Sequence, residues 1–67
     1  MTKLASNIRT LREQRGLTQQ ELGLRCGVDG SAVSLWEASK TAPRAAMLAK
    51  VAAALDATVG ELYGEAA

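Results

Sequence analysis

Two short helical segments and one tight turn between Thr18 and Ala38 restrict the fold of this chain more than any other stretch. Thr18-Gln19-Gln20-Glu21 has the pattern of a capping box: a threonine oxygen that can accept an orphan backbone amide, and a glutamate three residues on that can return the bond. The spacing predicts a helix from about Gln19 to Cys26, with Leu22 and Cys26 on its inner face. Gly27 breaks it and Val28 anchors the turn. Asp29, or else Ser31, caps a third helix that continues to about Ala38, with Val33 and Trp36 facing inward. Two helices joined by so short a turn cross steeply. Such a crossing needs small residues where the backbones approach, and Gly23 and Gly27 supply them. Gly23 costs its helix about 1 kcal/mol relative to alanine, so its presence there predicts close packing.

The rest of the chain is helical on the same reading. Leu4, Ile8 and Leu11 recur at helical spacing, predicting a helix from about Leu4 to Arg15 that Gly16 closes. Ser39-Lys40-Thr41-Ala42-Pro43 is a loop. From Arg44 to Leu55, apolar Met47, Leu48, Val51, Ala52 and Leu55 mark a fourth helix. Thr58-Val59-Gly60-Glu61 repeats the capping-box pattern and opens a short fifth helix through Leu62 and Tyr63, after which a tail from Gly64 is expected to fray. No segment alternates with a period of two, and there is no internal repeat or linker. The expectation is an all-α, compact five-helix bundle forming one domain over residues 1–67.

Composition narrows the function. With 48% apolar residues and no Phe, the core is aliphatic and needs no metal or cofactor. Cys26 is the single cysteine and there is no histidine, which excludes an internal disulfide and a Cys/His zinc site. The serines lack a base partner, so no nucleophilic catalysis is expected and the chain is not read as an enzyme. No apolar run approaches the roughly 18 residues of a membrane helix, and the N-terminus lacks the apolar stretch of a signal peptide; a cytoplasmic protein is expected. Net charge is only +1, but residues 1–25 carry +3 and residues 45–67 carry −2. A basic front and an acidic back are compatible with a polyanion on one side, and equally with a solvated surface of mixed charge.

The run from Ile8 to Leu22, then Gly27-Val28, Val33-Ser34-Leu35-Trp36-Glu37, Pro43-Arg44 and Leu55 to Leu62, resembles in register the Xre-type helix-turn-helix family of lambdoid phage repressors and Cro proteins. The resemblance covers about residues 4–63. It implies a repressor- or Cro-like transcriptional regulator, bacterial or phage-encoded. A homodimer would insert its third helices into the major groove of double-stranded DNA at a pseudo-palindromic operator. By the same resemblance, Gly30, Ser31, Ala32, Ser34 and Leu35 contact bases, and Thr18, Gln19, Lys40 and Arg44 contact phosphates. Lys3 and Arg9 are weaker phosphate candidates. Arg12 and Glu37 pair as a structural ion bridge, and Val59, Glu61, Leu62 and Tyr63 form the dimer contact.

The chain departs from the family where sequence is read. Relatives often carry Gln, Asn, Arg or Lys on the third helix; this chain has small side chains there, and Ala38 replaces a common Asn. Direct readout is therefore modest, with weight on phosphate positioning and DNA shape. Asp29 would repel phosphates unless its carboxylate serves as a helix cap, and the cap is the expected role. Neither a small-molecule ligand domain nor a cleavage domain is expected within these 67 residues. The alternative function is a protein-interaction module or antitoxin-like component on the same fold.

Overall fold

Three threonines start three of the helices. In a computed structural model, which describes residues 2–64, the hydroxyls of Thr2, Thr18 and Thr58 accept bonds from the backbone amides of Ala5, Glu21 and Glu61. Each satisfies one of the four amides that a helix N-terminus leaves without a partner. At Thr18 and Thr58 the box is complete: Glu21 and Glu61 accept from the threonine amides at 2.9 and 3.1 Å. The helices are α1 (Lys3–Gln14), α2 (Gln19–Cys26), α3 (Gly30–Glu37), α4 (Ala45–Ala54) and α5 (Val59–Leu62), with no strand among the described residues. Helix α1 begins one residue earlier than expected because Thr2 caps it. The tail beyond Gly64 lies outside the described residues.

Each helix is followed by a left-handed residue. Gly16 and Gly27 supply it after α1 and α2, at φ +69° and +79°, where a Cβ would be strained. Ser39 and Asp56 do so after α3 and α4, at φ +61° and +53°.

The buried faces meet in one core, aliphatic but for Trp36 and Cys26. Ile8 of α1, Leu22 and Cys26 of α2, Val33 and Trp36 of α3, Leu48 and Val51 of α4, then Leu55 and Leu62, are all buried. Helix α2 packs most extensively on α3, and also on α4, while α1 lies on α3 and α5. The close approach of α2 and α3 has the expected origin at one position and an unexpected one at the other. A Cβ on Gly23 would sit 2.7 Å from the Val28 carbonyl oxygen and 2.9 Å from the Asp29 carbonyl carbon. The second close approach is Gly30, not Gly27: a Cβ there would meet the Gln20 Cα at 3.0 Å, whereas nothing lies within 4 Å of Gly27. Gly27 is needed for its backbone angle alone.

Candidate nucleic-acid interface

Helix α3 buries Val33, Trp36 and Glu37, which leaves Ser31, Ser34 and Leu35 on an exposed face. Leu35 is 41% exposed. The five base-contact candidates therefore separate. Ser31, Ser34 and Leu35 share the outer face. Ala32 is half-buried and packs against the core, and the Cβ direction of Gly30 runs into the α2 backbone. Gly30 has no side chain to present, and the Ala32 methyl is only partly exposed.

What holds this face in place is a buried polar junction. Glu37 is 5% exposed. Its Oε2 accepts from Arg12 Nε at 2.7 Å, and its Oε1 accepts from Arg12 Nη2 at 3.0 Å and Gln19 Nε2 at 3.1 Å. Arg12 Nη1 also donates to the Leu17 carbonyl at 2.8 Å. A fork-to-fork pair of this kind combines direction with charge. The hydrogen bond to Glu37 raises the Arg12 pKa, and burial opposes that shift; the guanidinium is charged in any case. The junction joins the body of α1, the start of α2 and the end of α3. Gln19, at the first position of α2, thus braces α3 directly.

Thr18 is exposed, although its oxygen already accepts the Glu21 amide. That box holds the Glu21 carboxyl below its ordinary pKa, first through the Thr18 amide and then through the hydroxyl. Lys40 and Arg44 are exposed at the two ends of the loop after α3, and neither makes an ion pair among the described residues. The loop is pinned by Lys40 N–H donating to the Leu35 carbonyl at 3.0 Å and by buried Pro43. Its first left-handed residue, Ser39, accepts the Thr2 amide on its hydroxyl at 2.8 Å, tying the start of α1 to the loop.

Asp29 does not behave as expected. It occupies the N-cap position of α3, but its side chain makes no cap hydrogen bond. It is exposed and has no ion-pair partner among the described residues. The Thr18 and Thr58 caps reach their third amide through a short hydroxyl; here the carboxylate stays in solvent.

Other candidates resolve by burial. Leu62 is fully buried and belongs to the core, so it is not available to a second chain. Glu61 is half-buried and engaged in its capping box. Val59, at the start of α5, and Tyr63, its C-cap, are 38% and 45% exposed. Trp36 is core, and Cys26 is buried with its thiol pKa pushed up by burial against a smaller opposing effect of Lys50. Arg9 pairs with Glu13 on the surface at 3.6 Å. The aliphatic stem of Lys3 lies beside Gly64, where an added Cβ would fall 2.6 Å from Lys3 Cε.

Two residues were not anticipated. Arg15 Nε donates to the Leu55 carbonyl at 2.9 Å, closing the end of α4, and Asn7 Nδ2 donates to the Leu62 carbonyl at 3.0 Å, closing α5. Neither had a signal in the sequence, because the partners are backbone atoms 40 and 55 residues away.

A family model described as helix-turn-helix matches residues 8–62. The chain belongs to this helix-turn-helix family, the Xre-type group that its motifs resemble. Among solved structures, the P22 c2 repressor, crystallised with synthetic operator 9T in the presence of Tl+, is similar at 32% identity and TM-score 0.85, covering 88% of this chain and 89% of that one. A hypothetical transcription factor, NHTF, from Neisseria is similar at 34% identity and TM-score 0.87, covering 92% of this chain and 71% of that one. No curated protein matches the chain.

Proposed function

We propose that this protein is a transcription regulator that binds double-stranded DNA as a homodimer, with α3 of each protomer in the major groove of a pseudo-palindromic operator. That it is a DNA-binding regulator rests on its family membership and on its likeness to the P22 c2 repressor, which was crystallised with operator DNA. The groove-level reading is supported by one observation: the exposed Ser31–Ser34–Leu35 face belongs to a helix that the Arg12–Glu37–Gln19 junction ties to α1 and to the N-terminus of α2. A major groove about 12 Å wide admits one such helix. Thr18 and Gln19, at a helix start that favours anions, contact one phosphate, and Lys40 and Arg44 contact others. Ser31 and Ser34 read base edges, and Leu35 meets a thymine methyl.

The dimer contact is the exposed pair Val59 and Tyr63. The protein acts by binding, in the cytoplasm, on a bacterial or phage genome, and works as a repressor by occupying its site. Residues 1–67 act as one domain in this reading. A second reading, a protein-interaction module, is favoured by one observation: Leu24 on α2 is 73% exposed.

Selection of bound duplexes from a random pool tests the proposal. The expected result is an inverted repeat whose half-site centres lie about one helical turn, or 34 Å, apart. A single unrepeated half-site would remove the dimer. No enrichment at all would favour the interaction module.

A further inference from the structure

Asp29 carries a carboxylate with nothing to do inside the protein. It makes no cap bond and no ion pair among the described residues, although it stands at the N-cap position of the helix read here as the DNA reader. It lines a surface groove with Gln20, Leu24, Val28, Gly30 and Ser31, so it adjoins Ser31, the first outward-facing side chain of α3. The outer face of α3 otherwise offers only two hydroxyls and the apolar side chain of Leu35. Gly30 adds no side chain and is turned onto α2. Asp29 is therefore the one ionic group at the end of the helix whose N-terminal residues approach base edges.

An ionised carboxylate only accepts hydrogen bonds. In the major groove the donors are the exocyclic amino groups, N4 of cytosine and N6 of adenine, while guanine O6 and N7 and thymine O4 are acceptors. Facing an acceptor, the carboxylate would be desolvated without a partner, which is costly. We propose that Asp29 is a specificity-determining residue that accepts a hydrogen bond from the exocyclic amino group of one base in each half-site and rejects guanine and thymine there. The assignment rests on the docking of α3 proposed above. It turns a charge that opposes general DNA affinity into discrimination, in a helix whose other readers are weakly selective.

The test compares duplexes selected from one random pool by the wild-type protein, Asp29→Ala and Asp29→Asn, each checked for an unchanged thermal midpoint. Because the Asp29 side chain makes no internal bond, both variants are expected to fold. The wild type should enrich cytosine or adenine at one position per half-site, with a preference of roughly tenfold over guanine or thymine, towards the low end of the range for a good bidentate base contact because only one hydrogen bond is made; which base it is identifies the amino group. Asp29→Ala should lose that preference and keep the rest of the motif. Asp29→Asn should move the position towards adenine, which presents a donor and an acceptor to a carboxamide. Asp29→Ala selecting the wild-type motif unchanged would overturn the assignment, even if its affinity for all DNA rose, because repulsion alone would then explain the charge. A wild-type protein that enriches no sequence would overturn the docking itself.

Discussion

Glu37 shows how one buried carboxylate can set the direction of a whole helix. Its three hydrogen bonds come from α1 and the start of α2, and it sits on the last turn of α3. The pair need not stabilise the fold relative to an apolar replacement, because removing two ions from water opposes their attraction. Breaking it is different. Arg12→Ala would leave the Glu37 carboxylate buried with Gln19 as its one remaining side-chain donor, at a cost of about 3–5 kcal/mol. A domain of this length has a total stability of the same order, so Arg12→Ala should be largely unfolded in a urea titration. The double substitution Arg12→Met with Glu37→Leu should recover most of the urea midpoint, because no uncompensated charge remains. Its DNA affinity should stay low, since nothing then orients Gln19 or the end of α3. Full recovery of affinity in the double variant would show that the junction has no positioning role.

At the scale of elements, glycines at two positions do different work. Gly23→Ala gains about 1 kcal/mol in helix propensity. Its Cβ would fall 2.7 and 2.9 Å from the Val28 oxygen and the Asp29 carbonyl carbon, backbone atoms that move only if the turn moves. Overpacking of this kind costs about 1–3 kcal/mol. The net should be a loss near 1 kcal/mol, a drop of roughly 4–8 °C in Tm by calorimetry for a domain of this size. A Tm at or above wild type would mean that the turn is soft. Gly23 was legible in the sequence because an internal helix glycine conflicts with propensity, and so were the Thr18 and Thr58 starts, because a capping box is local. Gly30 was not, since its neighbour, Gln20, depends on the crossing itself. Asn7 and Arg15 were invisible for the same reason: side-chain bonds to distant helix ends leave no periodic trace. The Arg12–Glu37 pairing was available through family resemblance and not through spacing. Asp29 had the right residue type for a cap and the right position, yet the bond is not made.

Over the whole molecule, the sequence and the structure distribute charge differently. Residues 1–25 carry the net positive charge of the chain. Folding engages Arg12 with Glu37, Arg15 with the carbonyl end of α4, and Arg9 with Glu13. Lys3, Arg25, Lys40, Arg44 and Lys50 stay exposed without an ion pair among the described residues, and of these Lys40 and Arg44 flank the loop that follows α3. This gives the salt dependence of DNA binding a definite size. Each neutralised phosphate releases counterions, and log K falls with log salt at a slope of about −0.9 per contact on duplex DNA. With Lys40 and Arg44 in each of two protomers, four contacts predict a slope of about −3.6. Lys40→Ala removes one contact from each protomer and should reduce the slope to about −1.8. Gln19→Ala removes a neutral donor, so it should weaken binding without changing the slope. Anisotropy titrations of one duplex over a range of salt concentrations separate the two variants. A Lys40→Ala slope equal to that of the wild type would move the phosphate-contacting surface away from the loop after α3, and with it the orientation in which α3 enters the groove.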